Sequence, residues 1–190
     1  MPLIVQVLGR VLRVPEIASV VLAVPASDVS EMPTGRWAVR GYPDVAESDV
    51  LGRFARVLDE HPRCSAIMRV TGDCPLLDPA VSWAVLRRYR ETAHSGYVSN
   101  LSWPDYVDGE DTEVFSADLL GLAHAHATDP QDREHVTPWI RRHCVAPDPV
   151  TPVAKTSVDT REDYERVKRM LECPSIKSCT REPRSFQVEA

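Results

Sequence analysis

The chain lacks the features that mark several common classes of protein. Its five cysteines are odd in number, scattered and never in CxxC spacing, so they indicate neither a zinc site nor a disulfide framework, and we expect free thiols in a reducing compartment. No apolar run is long enough to span a membrane, and the N-terminus has no signal-peptide flank or cleavage site. The net charge of −6, without a basic stripe, argues against a nucleic-acid-binding protein. We therefore expect a cytoplasmic protein that binds neither membranes nor nucleic acids.

What the chain contains is typical of one α/β domain. It has 190 residues, of which 43% are hydrophobic and 26% charged. The predicted helices are 3–14, 48–60, 79–92, 116–122, 130–141 and 161–171, and the predicted strands are 19–24, 66–70, 96–100, 112–116 and 154–158. The clearest helix starts are Asp78 before Pro79 and the capping box of Thr160 and Asp163. The alternation predicts a doubly wound α/β fold over residues 1–172, followed by a loop or disordered tail over 173–190.

Two aspartates follow predicted strands at positions where ligands bind in such folds. In the segment MRVTGDCPLLDP, Asp73 lies just after a buried strand, and Asp159 ends another strand before a helix start. Ligands of open α/β sheets lie beyond the carboxyl ends of the strands. Two carboxylates converging there can hold Mg²⁺ together with phosphate oxygens, as nucleotidyl transfer requires. On pattern alone, a turn-forming role for Asp73 and a helix-dipole role for Asp159 explain these residues equally well.

Other reactive side chains form no recognisable site in the sequence. His124 and His126 are two residues apart on a predicted helix, so they point to different faces and cannot share a metal ion there. Nothing in the sequence supplies a base to activate Cys74, which we interpret as a packing residue. Trp103 and Tyr106, in a long loop, are consistent with a ligand wall, a dimer contact or simple cover.

Five segments resemble the bacterial cytidylyltransferase family in order and spacing. They are RVTGDCPLLDP, YVSN, DGEDTEVFS, REHVTPWI and SVDTREDYERV. The similarity extends over roughly residues 1–170 and is closest to the spore coat polysaccharide branch, which is related to the enzymes that make CMP-activated acidic sugars. It implies a three-layer, Rossmann-like fold of the nucleotide-diphospho-sugar-transferase type, with a mixed, mainly parallel sheet and helices on both faces.

The resemblance also implies an activity and a set of site residues. The implied reaction transfers CMP from CTP to a sugar or sugar-acid oxygen and releases pyrophosphate, with Mg²⁺ as the cofactor. Asp73 and Asp159 match the family's metal-binding aspartates, and Arg53 matches a residue that faces the nucleotide. Residues with less defined roles around the sugar pocket or subunit interface are Arg69, Asn100, Asp111, Glu113, Arg133, Glu134 and His135.

Two further points concern these matched residues. Arg133 and Glu134 are also consistent with an exposed pair in a first helical turn, and His135 with a structural histidine. A homodimer is expected from the resemblance, with SWPDYVDGEDTEVF as the arm that contacts the second subunit.

One part of the family pattern has no counterpart in this sequence. The family begins with a strand and a Gly-, Ser- and Arg-rich loop that wraps the CTP triphosphate, whereas Met1–Leu3 corresponds to the helix after that loop. In the expected strand order the absent strand lies mid-sheet. Strands 19–24 and 66–70 must therefore pair directly, leave backbone groups unpaired or accept a substitute strand. Three explanations compete. The recorded start is too late, or the protein is a relative that keeps only the sugar half and the dimer surface, or the gap is filled by another segment, such as the tail SFQVEA or a partner subunit.

We therefore expect a Mg²⁺-dependent cytidylyltransferase, or a truncated form of one, in cell-surface polysaccharide or specialised-sugar biosynthesis. The alternative from another class is a non-catalytic binding or scaffold subunit that pairs with a complete enzyme. A third hypothesis is a sugar-1-phosphate nucleotidyltransferase that uses another nucleotide, which a test of nucleotide preference would separate.

Overall fold

The computed structural model describes residues 2–92, 96–144 and 151–172, and these form a mixed α/β fold, as predicted. The helices are α1 (Leu3–Val11), α2 (Val50–Asp59), α3 (Pro79–Glu91), α4 (Ala117–His126), α5 (Pro130–His135), α6 (Pro138–His143) and α7 (Arg161–Glu172), with a 3-10 helix over Ala26–Glu31. The strands are β1 (Val21–Ala23), β2 (Ala38–Arg40), β3 (Ala66–Arg69), β4 (Tyr97–Ser99), β5 (Val107–Asp108), β6 (Glu113–Ser116) and β7 (Ala154–Lys155). The predicted tail, with Cys173 and Cys179, lies outside the described residues.

Both predicted helix starts are confirmed. The Asp78 carboxylate accepts a hydrogen bond from the Ala80 N–H at 2.8 Å, and Pro79 is the first residue of α3. At α7 the bonds are reciprocal, because the Thr160 hydroxyl accepts from the Asp163 N–H and the Asp163 carboxylate accepts from the Thr160 N–H, each at 3.1 Å. These caps satisfy N–H groups that have no partner inside a helix.

Two predicted elements differ in the structure, and two short strands were not predicted. The predicted helix over 130–141 is wrong as a single element, because the chain breaks at Val136, whose φ is 71°, and α6 starts at Pro138. Proline cannot donate the backbone bond that a continuous helix needs, and its ring clashes with the preceding turn. The predicted strand 154–158 pairs only over β7, and the three-residue strand β2 and the two-residue strand β5 were not predicted.

The strands form three separate hydrogen-bonded pieces. One is the parallel pair β1–β2, the second is the antiparallel set β3–β6–β4, and the third is the parallel pair β5–β7. Within residues 2–92, 96–144 and 151–172, β1 and β3 do not pair and no strand lies between them. The sheet is therefore interrupted where the family pattern expects its first strand.

Helices cover both faces of β3. Ile67 packs against the core cluster of α2, α4 and β6, whereas Met68 packs with Val85 and Tyr89 of α3. A third cluster joins Val7 and Val11 of α1 to other buried residues near the end of β3. This layering confirms the predicted fold class. None of the helices in the described residues is long and apolar enough to cross a membrane.

Candidate active site

The two predicted metal-binding aspartates lie on segments that are joined by a backbone hydrogen bond. The Val158 N–H donates to the Asp73 C=O at 2.9 Å, which places the loop after β3 beside the chain that leads into α7. The two segments are far apart in sequence, so this bond is what brings residues 73 and 159 into one region. The sequence prediction that they converge at one edge of the fold agrees with this placement.

The Asp159 carboxylate already has a cationic partner. Its Oδ2 lies 2.7 Å from the Lys155 ammonium and accepts a hydrogen bond from the Ser157 hydroxyl at 3.3 Å. Lys155 also reaches the buried Asp163 carboxylate at 3.0 Å. Hydrogen bonds from Arg166 and Lys155 hold the pKa of Asp163 well below its usual range. Lys155 can therefore leave Asp159 and keep a carboxylate partner.

The donor set of this region suits a hard divalent cation. Among the described residues the Asp73 carboxylate has one side-chain contact, a 3.5 Å hydrogen bond from the Cys74 thiol to Oδ1, so its Oδ2 is available to a ligand. Mg²⁺ commonly takes one or two protein carboxylates and completes its shell with water and phosphate oxygens. In the described part of the chain no group of three or more His, Cys, Asp or Glu side chains could hold a metal ion alone. A cation at Asp73 and Asp159 would thus need ligand oxygens from its substrate.

A third segment, the loop before β6, packs against the same region. The Asp108 C=O accepts a hydrogen bond from the Thr156 N–H at 2.6 Å, and Gly109 adopts a φ of 102° where a side chain would collide with the backbone of residues 156 and 157. In this loop the Asp111 carboxylate accepts from the Tyr106 hydroxyl at 2.7 Å and from the Gly109 N–H at 3.3 Å. Burial raises the pKa of Asp111 in spite of these bonds.

Burial also accounts for the behaviour of Cys74. It is 1% exposed, and its pKa is raised, first by desolvation and then by the charges of Asp73 and Asp111. A thiol in this state is a poor nucleophile, because the reactive form is the thiolate. This agrees with its interpretation as a packing residue.

Glu113 is the centre of a buried polar network. Its side chain accepts hydrogen bonds from Arg69 at 2.6 Å, from the Tyr97 hydroxyl at 2.6 Å and from the Thr137 hydroxyl at 2.7 Å. These donors come from β3, β4 and the α5–α6 junction, so the network joins three parts of the chain. Two predicted site residues, Arg69 and Glu113, are therefore brought together. Sequence reasoning missed Tyr97 and Thr137, because both contacts are long-range.

Asn100 braces the loop that carries Asp111. It is 1% exposed, its side-chain amide donates to the Glu110 C=O at 2.9 Å, and its carbonyl oxygen accepts from the Thr112 N–H at 2.9 Å. Both bonds are to backbone groups, so they fix the path of the chain between β4 and β6. Asn100 thus acts on the candidate site indirectly: its side chain holds the backbone of the loop that carries Asp111.

Like Arg69, the other two arginines expected near the ligands bind protein groups in the structure. Arg53 is 6% exposed and donates to the C=O groups of Ala46 and Glu47, at 3.2 and 2.6 Å. Arg133 makes a two-pronged contact with the Asp49 carboxylate, at 2.8 and 2.6 Å. Although burial opposes it, the bonds from Arg133 and from the Gly52 N–H lower the pKa of Asp49. Both arginines therefore organise the start of α2.

Glu134 and His135 lie elsewhere on α5 and are both exposed. Glu134 lines the cavity that also borders Arg69 at the end of β3, which brings these two predicted residues to one opening. Lys155 is the remaining charged group of the site that sequence reasoning missed. The i,i+4 rule for charged pairs applies to helices, whereas Lys155 lies in β7, so no local spacing rule identified it.

Comparison with known proteins confirms the resemblance. The family profile described as Cytidylyltransferase matches residues 1–179. The spore coat polysaccharide biosynthesis protein SpsF of Bacillus subtilis (strain 168) is 33% identical over 137 residues, which cover 67% of this chain and 55% of that protein. The chain thus spans about half the length of this curated relative.

Two solved structures share the fold. A cytidylyltransferase from Leptospira borgpetersenii serovar Hardjo-bovis (strain JB197) has a TM-score of 0.77 at 20% identity, covering 90% of this chain and 76% of that one. A CMP:2-keto-3-deoxy-manno-octonic acid synthetase complexed with CTP has a TM-score of 0.62 at 15% identity, covering 90% and 88%. These similarities agree with the match of the family profile, and the chain belongs to the cytidylyltransferase family.

Proposed function

We propose that the chain transfers CMP from CTP to a sugar or sugar-acid oxygen and releases pyrophosphate, in the biosynthesis of a cell-surface polysaccharide or a specialised sugar. The observation that carries this proposal is the hydrogen bond between Val158 and Asp73, which joins the segments of the two aspartates. Membership of the cytidylyltransferase family supports CTP as the nucleotide. The curated relative, named for spore coat polysaccharide biosynthesis, supports the class of product.

In this proposal Asp73 and Asp159 hold Mg²⁺. When bound, the ion would neutralise charge that develops on the transferred phosphate. Lys155 would leave Asp159 and remain paired with Asp163. Asp159 would then pair with the metal ion, so both carboxylates keep a positive partner. The substrate oxygen forms a bond to the α-phosphorus while the bond to the pyrophosphate oxygen breaks, and where that oxygen is a hydroxyl its proton passes to solvent. An in-line arrangement favours this exchange.

The remaining predicted residues position the site. Glu113 and Arg69 hold the end of β3, from which the Asp73 loop departs, and Asn100 holds the loop of Asp111. We propose that Arg53 and Arg133 act on the nucleotide indirectly, by fixing the entry to α2. Glu134, at the opening beside Arg69, and its neighbour His135 remain proposed contacts of the sugar or of a second subunit.

The activity is tested by pyrophosphate release from CTP and Mg²⁺ with a panel of sugar acids and sugars. We expect turnover with CTP in preference to ATP, GTP and UTP. Replacing Asp73 or Asp159 by Asn should lower the rate about 100-fold or more, the size of effect seen when a transition-state charge loses its stabilising partner. Asp118→Asn, at an exposed carboxylate of α4, is the matched control and should leave the rate unchanged.

A non-catalytic scaffold is the second candidate. It is favoured by the internal pairing of Arg53 and Arg133, which leaves fewer cations for a triphosphate. Absence of CTP binding at millimolar concentration, with intact folding, would exclude the enzyme and favour the scaffold. Titration with Mn²⁺, followed by its electron paramagnetic resonance, tests the metal site separately, and Asp159→Asn should weaken that binding.

We also propose a homodimer in which the segment 102–115 contacts the second subunit. Parts of this segment are already buried in one chain, since Tyr106 and Val107 are each 8% exposed. The contact would therefore use its exposed residue Pro104, whereas Trp103 packs against the cluster of Val85, Tyr89 and Val114. Analytical ultracentrifugation of the wild type and of Pro104→Asp tests this, and a wild-type monomer at micromolar concentration would contradict it.

A further inference from the structure

The Asp111 carboxylate is mostly buried, yet it forms no ion pair within the described parts of the chain. Three more deeply buried carboxylates each have an arginine or lysine partner: Glu113 with Arg69, Asp132 with Arg142, and Asp163 with Lys155 and Arg166. Asp111 accepts hydrogen bonds from two neutral donors, the Tyr106 hydroxyl and the Gly109 N–H. A carboxylate that is removed from water without a cation is unfavourable for folding, and such groups are frequent at functional sites.

One oxygen of this carboxylate is held and the other is available. Oδ1 accepts both bonds, at 2.7 Å from the Tyr106 hydroxyl and at 3.3 Å from the Gly109 N–H. No donor among the described residues binds Oδ2. Because Tyr106 is itself only 8% exposed, its packing fixes the hydroxyl and with it the orientation of the carboxylate. Oδ2 is therefore an acceptor in a fixed position, as a general base requires.

The contacts of the Asp111 loop place this carboxylate beside the segment of Asp159. Gly109, which donates to Asp111, packs so closely on Ser157 that a side chain at residue 109 would collide with the Ser157 backbone N. The Ser157 hydroxyl in turn donates to the Asp159 carboxylate at 3.3 Å. Two successive contacts thus join the Asp111 carboxylate to the Asp159 carboxylate.

Asp111 and Asp73 both lie near the buried thiol of Cys74. Burial raises the pKa of this thiol, and the charges of Asp73 and Asp111 raise it further. Within residues 2–92, 96–144 and 151–172, however, no group of three or more His, Cys, Asp or Glu side chains could hold a metal ion. Asp111 is therefore near the proposed metal ligands without completing a three-carboxylate site with them.

We propose that Asp111 is the general base of the proposed CMP transfer, an inference that rests on the proposed function. Its Oδ2 takes the proton of an attacking sugar hydroxyl while that oxygen forms its bond to the α-phosphorus. The bond from phosphorus to the pyrophosphate oxygen breaks, and its electron pair leaves with pyrophosphate. The Asp111 carboxylic acid then passes the proton to solvent. A catalytic aspartate accepts the proton of a substrate hydroxyl in the same manner in protein kinases.

This role also narrows the class of acceptor. A sugar 1-phosphate presents an oxygen that is ionised at neutral pH and needs no base, and the charged form of Asp111 would repel it. A sugar hydroxyl keeps its proton at neutral pH, and a positioned base accelerates its reaction by about 100- to 10,000-fold. The inference therefore assigns to the site an acceptor that reacts through a hydroxyl.

The surroundings of Asp111 favour proton acceptance. Burial raises the pKa of Asp111, and the charges of Asp108 and Glu113 raise it further, whereas the two hydrogen bonds to Oδ1 oppose the shift. The other titratable groups that face the carboxylate are the Tyr106 hydroxyl and the Cys74 thiol. A base is most effective when its pKa lies near the working pH, so a raised pKa suits this role better than the ordinary value of about 4.

Steady-state kinetics of Asp111→Asn and of Asp108→Asn test the proposal. The acceptor is the sugar acid of the panel that reacts fastest with CTP, and Mn²⁺ binding is followed by electron paramagnetic resonance. For Asp111→Asn we expect kcat to fall about 100-fold or more, with the KM for CTP and the Mn²⁺ affinity changed less than about threefold. Asp108→Asn removes the same charge from the same loop but keeps the base, so its kcat should stay within about threefold of the wild type.

The pH dependence separates a base from a residue that only shapes the loop. Below the pKa of Asp111 the carboxyl is protonated and accepts no proton, so the wild-type kcat should fall about tenfold per pH unit there. Asp111→Asn should lack this fall, and its residual rate should rise with hydroxide concentration. Formate should restore the rate of Asp111→Ala about tenfold or more and should not restore that of Asp159→Ala. The Tm of each variant shows whether it is folded, and Asn at residue 111 keeps an oxygen that can accept both bonds.

Several results would overturn the proposal. A kcat of Asp111→Asn equal to that of Asp108→Asn, or an unchanged fall of its kcat at low pH, would remove the base while leaving the proposed activity in place. Parallel losses of rate and Mn²⁺ affinity in Asp111→Asn would make Asp111 a metal ligand. Faster turnover of sugar 1-phosphates than of any hydroxyl acceptor would contradict the class of acceptor. A wild type that neither binds CTP nor releases pyrophosphate would remove the proposed function, and this inference with it.

Discussion

Replacing Arg69 by Met should destabilise the protein strongly, although Arg69 lies at the surface end of a strand. The Arg69 side chain is 16% exposed and its partner Glu113 only 4% exposed, with 2.6 Å between them. Removing the arginine leaves the carboxylate buried without its positive partner, which typically costs about 3–5 kcal/mol. Because the Tyr97 and Thr137 hydroxyls still donate to Glu113, we place the loss at the lower end, about 3 kcal/mol.

The complementary change, Glu113→Gln, keeps the shape of the side chain and should cost less. The amide oxygen can still accept from Arg69, and the two hydroxyls can rotate to accept from the amide nitrogen. Only the charge is lost, so we expect a loss of about 2 kcal/mol, within the range for hydrogen bonds to charged groups. The double variant has neither charge buried, and we expect it to be about as stable as Glu113→Gln alone.

A double-mutant cycle by urea unfolding, followed by circular dichroism, measures this coupling. The expected interaction energy is about 2–3 kcal/mol, whereas independent residues add within about 0.5 kcal/mol. Arg88→Met is the control, because the Arg88–Glu91 pair has side chains 59% and 52% exposed and should contribute little. Additive losses for Arg69 and Glu113 would refute the view that the carboxylate needs this arginine.

Three further predictions concern other charged groups. Arg133→Met should lower stability by about 1–2 kcal/mol in urea unfolding, since it removes a two-pronged bond to the Asp49 carboxylate. Asp163→Asn should make the acid unfolding curve shallower: the lowered pKa of Asp163 stabilises the fold above about pH 4 and this contribution is lost as the pH falls. Asp111→Asn should stabilise the metal-free protein more at pH 7 than at pH 4, measured by Tm, because the raised pKa of Asp111 makes its charged form unfavourable in the fold as the pH rises. A larger gain at pH 4 would contradict this last sign.

Local signals predicted the helix boundaries well. Asp78–Pro79 and the Thr160–Asp163 box act within four residues, so they can be recognised in the sequence and they hold in the structure. The break at Val136 could have been found from Pro138, which cannot continue a helix. The strand β2 could not, because three residues carry no periodicity that separates a strand from a loop.

The candidate site was predictable only in part. The position of Asp73 followed from the end of β3, whereas β7 ends four residues before Asp159, and the two segments nevertheless converge. The partners of Glu113 did not follow, because they lie 44, 16 and 24 residues away in sequence. The internal bonds of Arg53 and Arg133 were also beyond sequence reasoning, since a motif gives a residue type but not the group that its side chain meets.

The one-sided support of β3 has a consequence for the whole site. This strand carries Arg69 and leads into the Asp73 loop, yet within the described parts of the chain it is hydrogen-bonded to a neighbour along a single edge. A contact along its other edge would restrict the same backbone that a ligand at Asp73 must order. Whichever of the two binds first therefore reduces the conformational entropy that is lost when the other binds. A contact made along that edge and the affinity for a ligand at Asp73 are then thermodynamically coupled, and the coupling is reciprocal.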